Sequence, residues 1–404
     1  DEFHNLIQIK EASGSNTEMI YDEFHRLIEE KVNGTVYRKL VYNQFDEVIE
    51  ETDRYQNVTV TEINAIGQVT SKTEKGLKSE FSYDLLDRAI EEKDSLGNIK
   101  KKTYDGCSNV IQEENNGAIT SFEYDLFGNR IKKTDSLGNE TRFFYDGEGN
   151  LLKTIDANGT ISEFIYDKKY QLLEKKSNGD VIEKFVYDLD GRVIQHIDGE
   201  GGIQQFAYDE FSQLIQSVDE RGYLTTTRYD ERGNLIEILD PSGNKTKKSY
   251  NELNQLIETI DPKGHKTRYV YDPFGNVIQE IQPNGGVISY EYNELNQQVK
   301  TIDVLGNETT VTYNSFNLPV SICVNGKQTQ GFLYDEIGRE IGVFDGNGNK
   351  TEKKYDPKGR VIEEIDACGN SIHFVYDSEG QQLQQIDEKG IKTDYVYDGI
   401  GQVI

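Results

Sequence analysis

The residues that could perform chemistry are scattered along this 404-residue chain. Its histidines show no metal-ligand spacing; they are His4, His25, His196, His265 and His373. The sequence has no Gly-x-Ser-x-Gly elbow, phosphate-binding loop or His-Glu-x-x-His motif. With 72 acidic residues, no single pair of carboxylates is informative as a general acid and base. We therefore expect no catalytic residue and no cofactor, and interpret the chain as non-enzymatic.

Cysteine and aspartate spacing gives no stronger signal. Cys107, Cys323 and Cys368 are far apart and odd in number, which is not a disulfide framework. Regularly spaced Asp and Gly also occur in calcium-binding repeats, but the chain has neither an Asp-x-Asp-x-Asp loop ending in Glu nor a Gly-Gly-x-Gly-x-Asp repeat. The sequence therefore predicts no metal site.

Composition narrows the class of partner. The net charge of −28 disfavours nucleic acid, because phosphate contacts need basic patches. Apolar runs are too short to span a membrane, and the first ten residues, DEFHNLIQIK, do not resemble a signal peptide. Hydrophobic residues are 35% of the chain, below the usual share of about 45–50%, which indicates an extended surface rather than one large core.

The elements that would position any site repeat along the whole chain. Tyr-Asp or Tyr-Asn recurs every 21 residues, with two 20-residue steps that end at Tyr83 and Tyr124 and one register, Ile63-Asn64, without the tyrosine. Such a period indicates one supersecondary unit copied many times. Its tyrosines are Tyr21, Tyr42, Tyr83, Tyr104, Tyr124, Tyr145, Tyr166, Tyr187, Tyr208, Tyr229, Tyr250, Tyr271, Tyr292, Tyr313, Tyr334, Tyr355, Tyr376 and Tyr397.

Each unit contains two turns, Tyr-Asp-x-x-Gly and Asp-x-x-Gly-Asn, separated by short β-branched and aromatic runs that predict strands. The Asp side chain can bond backbone two residues on, and Gly supplies the positive φ of the bend. Pro319 is the one proline outside a turn, where we expect a bulge or an edge. The structural repeat residues singled out are Tyr187, Asp188, Gly191, Tyr229, Asp230, Gly233, Asp240, Gly243, Tyr271, Asp272, Gly275, Tyr355, Asp356 and Gly359.

Tandem β-hairpins predict an all-β fold of roughly 38 strands in one continuous sheet that must curl. We expect the repeat tyrosines to stack as an aromatic ladder with each hydroxyl on a polar partner, a structural role in preference to ligand binding. Residues 1–404 are interpreted as a single array of about 19 registers with no separate domain. Because DEFHNLI at Asp1 aligns with DEFHRLI at Asp22, and the last copy stops at its eighth position, we expect both ends to be cut within a repeat.

The repeat resembles that of the Rhs/YD-repeat family. Tyr355-Asp356-Pro357-Lys358-Gly359-Arg360-Val361-Ile362, followed by Asp366-Ala367-Cys368-Gly369-Asn370, carries nearly the whole pattern. The family includes bacterial polymorphic toxins, the B and C components of insecticidal toxin complexes, wall-associated proteins and teneurins. The resemblance implies a β-ribbon that spirals into a hollow shell enclosing a C-terminal toxic domain. The self-cleaving aspartate core that usually follows the repeats in toxin members has no counterpart here.

The resemblance implies a secreted or cell-surface protein whose partner is a cargo or toxin domain of the same polypeptide, or a subunit that completes the shell. Two alternatives stay open. One is an adhesion or carbohydrate-binding surface on which exposed tyrosine rings stack on sugars, and the other is a structural spacer or filament.

Overall fold

The computed structural model describes residue 3 and residues 5–10, 16–54 and 56–404; Asp1, Glu2 and His4, which the sequence analysis used, lie outside these ranges. Within them the chain is all-β. None of the described residues belongs to a helix long and apolar enough to cross a membrane.

Thirty-eight strands follow one another along the chain. The first half comprises β1 (Gln8–Lys10), β2 (Asn16–Tyr21), β3 (Leu27–Val32), β4 (Thr35–Tyr42), β5 (Val48–Asp53), β6 (Val58–Ile63), β7 (Val69–Glu74), β8 (Leu77–Tyr83), β9 (Ala89–Lys93), β10 (Ile99–Tyr104), β11 (Val110–Asn115), β12 (Ala118–Tyr124), β13 (Arg130–Thr134), β14 (Glu140–Tyr145), β15 (Leu151–Ile155), β16 (Ile161–Tyr166), β17 (Leu172–Ser177), β18 (Asp180–Tyr187) and β19 (Val193–Asp198).

The second half comprises β20 (Ile203–Tyr208), β21 (Leu214–Val218), β22 (Leu224–Tyr229), β23 (Leu235–Leu239), β24 (Lys245–Tyr250), β25 (Leu256–Ile260), β26 (Lys266–Tyr271), β27 (Val277–Ile281), β28 (Val287–Tyr292), β29 (Gln298–Ile302), β30 (Glu308–Tyr313), β31 (Pro319–Val324), β32 (Lys327–Tyr334), β33 (Glu340–Asp345), β34 (Lys350–Tyr355), β35 (Val361–Ile365), β36 (Ser371–Tyr376), β37 (Gln382–Ile386) and β38 (Lys392–Asp394).

All of these strands belong to one sheet in which each strand pairs antiparallel with the next. In the described chain β1 pairs only with β2 and β38 only with β37, so the sheet is not closed into a barrel. The prediction of an all-β array of hairpins with roughly 38 strands is confirmed.

A bulge at the repeat tyrosines bends the sheet. The register shifts between Val270 and Tyr271, and again between Arg228 and Tyr229, where the tyrosine ends its strand. An extra residue on one strand kinks it and increases local twist. Because the bulge recurs at the same place in successive repeats, its bends add in one direction. Pro319 lies opposite Tyr313 in such a bulge, as predicted.

The curl brings distant turns together. Two kinds of turn alternate: the YD turn, which follows the repeat tyrosine (residues 230–234), and the second turn, which joins the two strands of a hairpin (residues 240–244). Asn98 in a second turn donates from Nδ2 to the Pro357 carbonyl in a YD turn 259 residues later, at 2.9 Å. Asn158 donates to Asp398 Oδ2 at 2.8 Å, across 240 residues. One circuit of the ribbon therefore takes between 240 and 259 residues. A second layer, from about residue 240 onward, rests on the first; we call the first the lower layer and the second the upper layer.

The sheet is a single layer without a conventional core. Among the described residues no hydrophobic side chain is fully buried. The accessible surface is 24979 Å², whereas a compact monomer of 46.1 kDa would expose about 16,000 Å². Both faces of the ribbon therefore remain accessible in this chain.

Candidate functional site: the turn edges and faces of the ribbon

Each turn is organised around its first carboxylate. Asp230 Oδ1 accepts hydrogen bonds from the backbone N–H of Arg232 at 2.9 Å and of Asn234 at 2.8 Å, and Asn234 Nδ2 donates to Asp230 Oδ2 at 2.9 Å. These bonds hold the pKa of Asp230 below its ordinary value, with the Asn234 side chain as the largest cause. The second turn repeats the arrangement at Asp240, whose pKa the Asn244 side chain lowers.

The other aspartates singled out from the sequence adopt the same geometry. Asp188 accepts from the backbone N–H of Asp190 and of Arg192, and Asp272 from that of Phe274 and of Asn276. The Asp356 carboxylate takes both the backbone N–H and the side chain of Arg360. The glycines that close these bends have φ between +82° and +88°; they are Gly191, Gly233, Gly243, Gly275 and Gly359.

The repeat tyrosine ties the end of its hairpin's second strand to the start of the first strand. The hydroxyl of Tyr187 donates to the carbonyl of Leu172 at 2.8 Å, and that of Tyr355 to the carbonyl of Glu340 at 2.7 Å. The acceptor lies fifteen residues earlier, at the start of the preceding strand. Tyr229 and Tyr271 bond Leu214 and Leu256 in the same way. The predicted polar partner of each of these hydroxyls is thus a backbone carbonyl.

The predicted ring-on-ring ladder is wrong. Among the described residues, no aromatic pair joins two repeat tyrosines. In several repeats an arginine takes that place: Arg26 binds Asp22 Oδ2 through Nε at 2.8 Å, while its guanidinium lies 4.7 Å from the centre of the Tyr42 ring in the next repeat. Arg88, Arg192, Arg339 and Arg360 lie over Tyr104, Tyr208, Tyr355 and Tyr376 in the same way, at 4.6 to 5.1 Å. Successive repeat tyrosines lie on every second strand, about 9.6 Å apart and too far to stack, and the planar guanidinium fits between them.

The two faces of the ribbon differ. Two residues before the repeat tyrosine, on the same face, stands a second aromatic column: Phe122, Phe143, Phe164, Phe185 and Phe206 in five successive repeats, none of them exposed. We call this side the tyrosine face. The residue just before the tyrosine points the other way and is more open, as at Phe144, which is 44% exposed. This second column is visible in the sequence as an aromatic residue two positions before the repeat tyrosine.

The opposite face carries many of the ion pairs. Glu258 binds Arg268 at 2.8 Å and Lys266 at 3.3 Å, and Lys300 binds Glu308 at 2.8 Å. Such partly exposed pairs contribute little to stability, typically about 0–1 kcal/mol each. They keep this face charged and hydrated.

The histidines and cysteines are dispersed over the ribbon. His265 Nδ1 bonds its own turn carboxylate, Asp261, at 2.8 Å, and His196 stacks on Phe185 with ring centres 5.0 Å apart. His25 Nδ1 faces Asn5 and His373 faces Ser371. Cys107, Cys323 and Cys368 are free thiols. Within the described ranges, His, Cys, Asp and Glu form no group of three that could hold a metal ion.

A cleft separates the two layers at one point. Its volume is about 940 Å³, and Tyr37 of the lower layer faces Phe274, Tyr290 and Tyr292 of the upper layer across it. Tyr37 is 44% exposed, whereas the repeat tyrosine Tyr292 is half-buried and its hydroxyl donates a hydrogen bond to the Val277 carbonyl. The cleft therefore brings two exposed aromatic rings, Tyr37 and Phe274, to one cavity between the layers.

Comparison with known proteins agrees with this geometry. The Teneurin YD-shell family model matches residues 143–315 and the RHS Repeat model matches residues 124–161. No curated protein matches the chain by sequence.

Solved structures show the same fold. A crystal structure of TcdB2-TccC3 superposes with a TM-score of 0.60 at 13% identity, over 96% of this chain and 30% of that one. The Photorhabdus luminescens Tc holotoxin pore, with a mutation in TccC3, gives 0.61 at 15%, over 98% and 26%. TcdB2-TccC3 without its hypervariable C-terminal region gives 0.50 at 13%, over 96% and 30%. The chain thus spans less than a third of the length of these proteins.

Proposed function

Because this chain belongs to the Rhs/YD-repeat family and forms a segment of a shell wall, we propose that the shell encloses a cargo domain. The cargo is carried by the same polypeptide or enters with a subunit that completes the shell. The wall acts as a non-enzymatic container, in a protein that is secreted or displayed at the cell surface. The similar structures include a Tc holotoxin pore, and another lacks the hypervariable C-terminal region of TcdB2-TccC3, which supports a cargo attached to the repeats.

The observation that carries the proposal is a single-layer ribbon that completes a full circuit with both faces uncovered. A protein stabilised by burial of its own core does not leave about 9,000 Å² of surface beyond that of a compact monomer exposed. The repeats instead stabilise one another through nearest-neighbour strand pairing. The inside of the circuit is thus free for another polypeptide.

The size of the circuit favours an incompletely folded cargo. A circuit of 240 to 259 residues contains about 24 strands, and a spacing of about 4.8 Å gives a circumference of about 115 Å and a diameter of about 37 Å. Inner side chains reduce the lumen to about 25 Å. A folded domain of about 100 residues has a diameter of about 34 Å. Within this stretch of wall, the cargo would have to be extended or partly unfolded.

We assign the tyrosine face to the inside. Curling crowds side chains on the concave face and spreads them on the convex one, and the tyrosine face is the more covered in most strands that end at a repeat tyrosine. Its tyrosine hydroxyls are already bonded to the wall, and it carries charged pairs such as Arg38 with Glu30 and Lys353 with Glu340. A wall with its polar groups satisfied and some charge can contact an unfolded chain without binding it irreversibly.

Limited proteolysis of the intact native polypeptide tests the proposal. We expect a segment outside the repeats to resist protease while the shell is intact, and to be cleaved rapidly when expressed alone. Hydrogen exchange on the same preparation should show that the protected segment lacks slowly exchanging amides, because the lumen does not admit a folded domain. A neighbouring segment that is folded and equally cleavable in both preparations would contradict enclosure.

The aromatic cleft supports a second candidate function, carbohydrate binding. Sugars stack on exposed aromatic rings, and Tyr37 and Phe274 present such rings across a cavity of suitable size. A glycan array with the wild-type chain and Tyr37→Ala tests it. Tyr170→Ala, which removes an exposed tyrosine outside the cleft, is the matched control. Binding lost only in Tyr37→Ala would favour this function over a purely enclosing wall.

A further inference from the structure

The contact between the two layers has a recurring pattern. The third residue of an upper-layer YD turn meets a hairpin end of the lower layer: Phe316 lies 5.4 Å beneath the Lys75 ammonium, and Glu379 accepts from the backbone N–H of Ser136 at 3.0 Å. Phe274 occupies the same turn position and lines the cleft with Val32 and Tyr37. The YD-turn edge of one layer is thus the surface that binds the second-turn edge of another.

The lower layer repeats this YD-turn edge, and among the described residues no other layer covers it. Its third turn residues include Phe24, Phe45, Ile66, Leu86, Phe127 and Phe211, whose exposures run from 64% to 86%. At the same position in the upper layer, Leu295, Phe316 and Ile337 are not exposed, and Phe316 lies against Lys75 of the lower layer. We call the YD turns of residues 22–212 the free rim. Turn tips are ordinarily polar, and a row of exposed large apolar side chains marks an interaction surface.

The second-turn edge of the upper layer is likewise uncovered among the described residues. In the lower layer, Asn98 donates both to its own Asp94 at 2.7 Å and to the Pro357 carbonyl of the next layer. Asn244, Asn349 and Asn370 hold the same turn position in the upper layer, and among described residues each donates only to its own aspartate. Asn347 is the third residue of its second turn, as Asn158 is of its own. Asn158 uses this position to bind Asp398 in the upper layer. The upper edge therefore presents the donor groups that the lower edge uses.

We propose that the free rim binds the second-turn edge of a second copy of this chain, so that copies stack head to tail and continue the spiral. The chain already makes this contact with itself once per circuit, and in the described part of each copy one further example of each half is uncovered. The two halves are different surfaces, so the contact is heterologous and does not close on itself as a dimer. This inference is independent of whether the shell holds a cargo.

Sedimentation velocity over a wide range of chain concentration tests the stacking. We expect dimers and longer species that grow with concentration. A rim variant, Phe45→Ser with Phe127→Ser, should weaken association by about tenfold or more per substitution, because each removes a large apolar side chain from the contact. An edge variant, Leu305→Asp with Asn347→Asp, should weaken it as well, through the opposite surface. Glu148→Ser, at the same turn position as Phe127 but already polar, should leave association unchanged.

Mixing the rim variant with the edge variant tests whether the contact joins two different surfaces. The rim variant retains an intact edge and the edge variant an intact rim, so a mixture should form heterodimers and nothing larger. Circular dichroism of each variant, matched to wild type, shows that the fold is retained. A wild-type chain that stays monomeric at every concentration overturns the proposal. If the edge variant associates as strongly as the wild-type chain, the proposal is also overturned, because the rims would then be binding one another.

Discussion

The hydroxyl of Tyr271 donates a hydrogen bond of 2.7 Å to the carbonyl of Leu256, the first residue of the strand that pairs with its own. The bond crosses a hairpin and reaches the carbonyl just beyond the preceding YD turn. Burial raises the pKa of Tyr271, which keeps the phenol protonated and able to donate. One side chain thus ties the exit of one turn to the entry of the next, and the array repeats this link in each copy with a tyrosine.

Removing that hydroxyl should loosen one hairpin link. We expect Tyr271→Phe to destabilise the array by about 0.5–1.5 kcal/mol, because the Leu256 carbonyl loses its donor in a half-buried site. Tyr269→Phe is the matched control: it lies on the same face of β26, two residues away, and its hydroxyl has no hydrogen bond among described residues. Thermal unfolding followed by circular dichroism should separate the two. Equal melting temperatures would show that the hydroxyl link contributes nothing.

The glycine of the turn can be tested against a second glycine in the same turn. Gly149 has φ of +88°, whereas Gly147 does not have a positive φ, and nothing lies within 4 Å of a Cβ added at Gly147. We expect Gly149→Ala to destabilise the hairpin by about 1–2 kcal/mol, the cost of the left-handed conformation for a residue with a Cβ. Gly147→Ala should be nearly neutral.

Asparagine supplies a further comparison at the Gly149 position, because Asn254, Asn296 and Asn317 adopt positive φ at the equivalent place. Gly149→Asn should therefore be milder than Gly149→Ala. Hydrogen exchange of the amides of residues 146–150 measures all three variants locally. If Gly147→Ala proves as costly as Gly149→Ala, backbone conformation is not the cause.

The sequence predicted the local structure well because it is encoded within one repeat. The period of 21, the turn residues and the β-branched runs specify a hairpin wherever they occur. The two 20-residue steps arise where a two-residue turn, Lys75-Gly76 or Asn116-Gly117, closes the hairpin without an extra bulge. At Asn33-Gly34 a comparable turn keeps the 21-residue period because a bulge between Glu30 and Lys31 adds one residue.

Contacts between layers were not predictable in the same way. Asn98 meets Pro357 because the small bend of each repeat accumulates over a whole circuit, and a few degrees per repeat decide which turns meet. The stacked tyrosine ladder was wrong for a different reason: Tyr21 ends β2 and Tyr42 ends β4, so a whole strand separates the two rings, and Arg26 lies over Tyr42 instead. Only the apolar third residues of the YD turns, such as Phe45 and Phe316, signalled in the sequence that turn tips touch something.

A tyrosine in the strained turn position offers a stabilising change. Tyr170 occupies the glycine place of its YD turn with φ of +63° and is 56% exposed. We expect Tyr170→Gly to stabilise the chain by up to about 1 kcal/mol, because relief of a left-handed bulky residue exceeds the entropy that glycine adds to the unfolded chain. Tyr223 is similarly exposed in a second turn but does not have positive φ, so Tyr223→Gly should destabilise. A melting temperature that falls in both variants would contradict the assignment.

Acidic pH should open turns that begin with an aspartate and leave turns that begin with an asparagine closed. Asparagine side chains lower the pKa of Asp125, Asp230 and Asp303, so these carboxylates stay ionised below their ordinary range. A lowered folded pKa contributes stability that is fully present above the unfolded value of about 3.9 and is lost as pH falls through the folded pKa. We therefore expect the turn at Asp230 to open at acidic pH.

The chain contains its own control for this pH dependence. Asn251 holds the same place in the next repeat and accepts from the backbone N–H of Leu253 at 3.0 Å and of Gln255 at 2.9 Å, but it cannot titrate. Hydrogen exchange between neutral pH and pH of about 2, corrected for the intrinsic rate, should show lost protection at the Asn234 amide while the Gln255 amide keeps its own. Equal loss at both amides would assign acid unfolding to the whole array instead of the turn carboxylates.

One of the contacts between the two layers can be removed at a single serine, and the chain offers an almost identical turn as control. Asp-Ser-Leu-Gly-Asn occurs at residues 94–98 and again at residues 135–139. Ser136 Oγ bonds Glu379 and lies 2.8 Å from Ser378 Oγ in the upper layer, whereas the Ser95 side chain makes no hydrogen bond among described residues. We expect Ser136→Ala to weaken the layer contact by about 0.5–1.5 kcal/mol.

Loss of this contact should act on the upper layer and leave the strands intact, because each hairpin is held by its neighbours along the ribbon. Faster hydrogen exchange in residues 377–381 and a larger radius in X-ray scattering are the expected readouts, with unchanged circular dichroism. Ser95→Ala should match wild type in all three measurements. If Ser136→Ala also matches wild type, the layers are held by apolar contacts such as those around Phe274 and Phe316, and the serine contact is incidental.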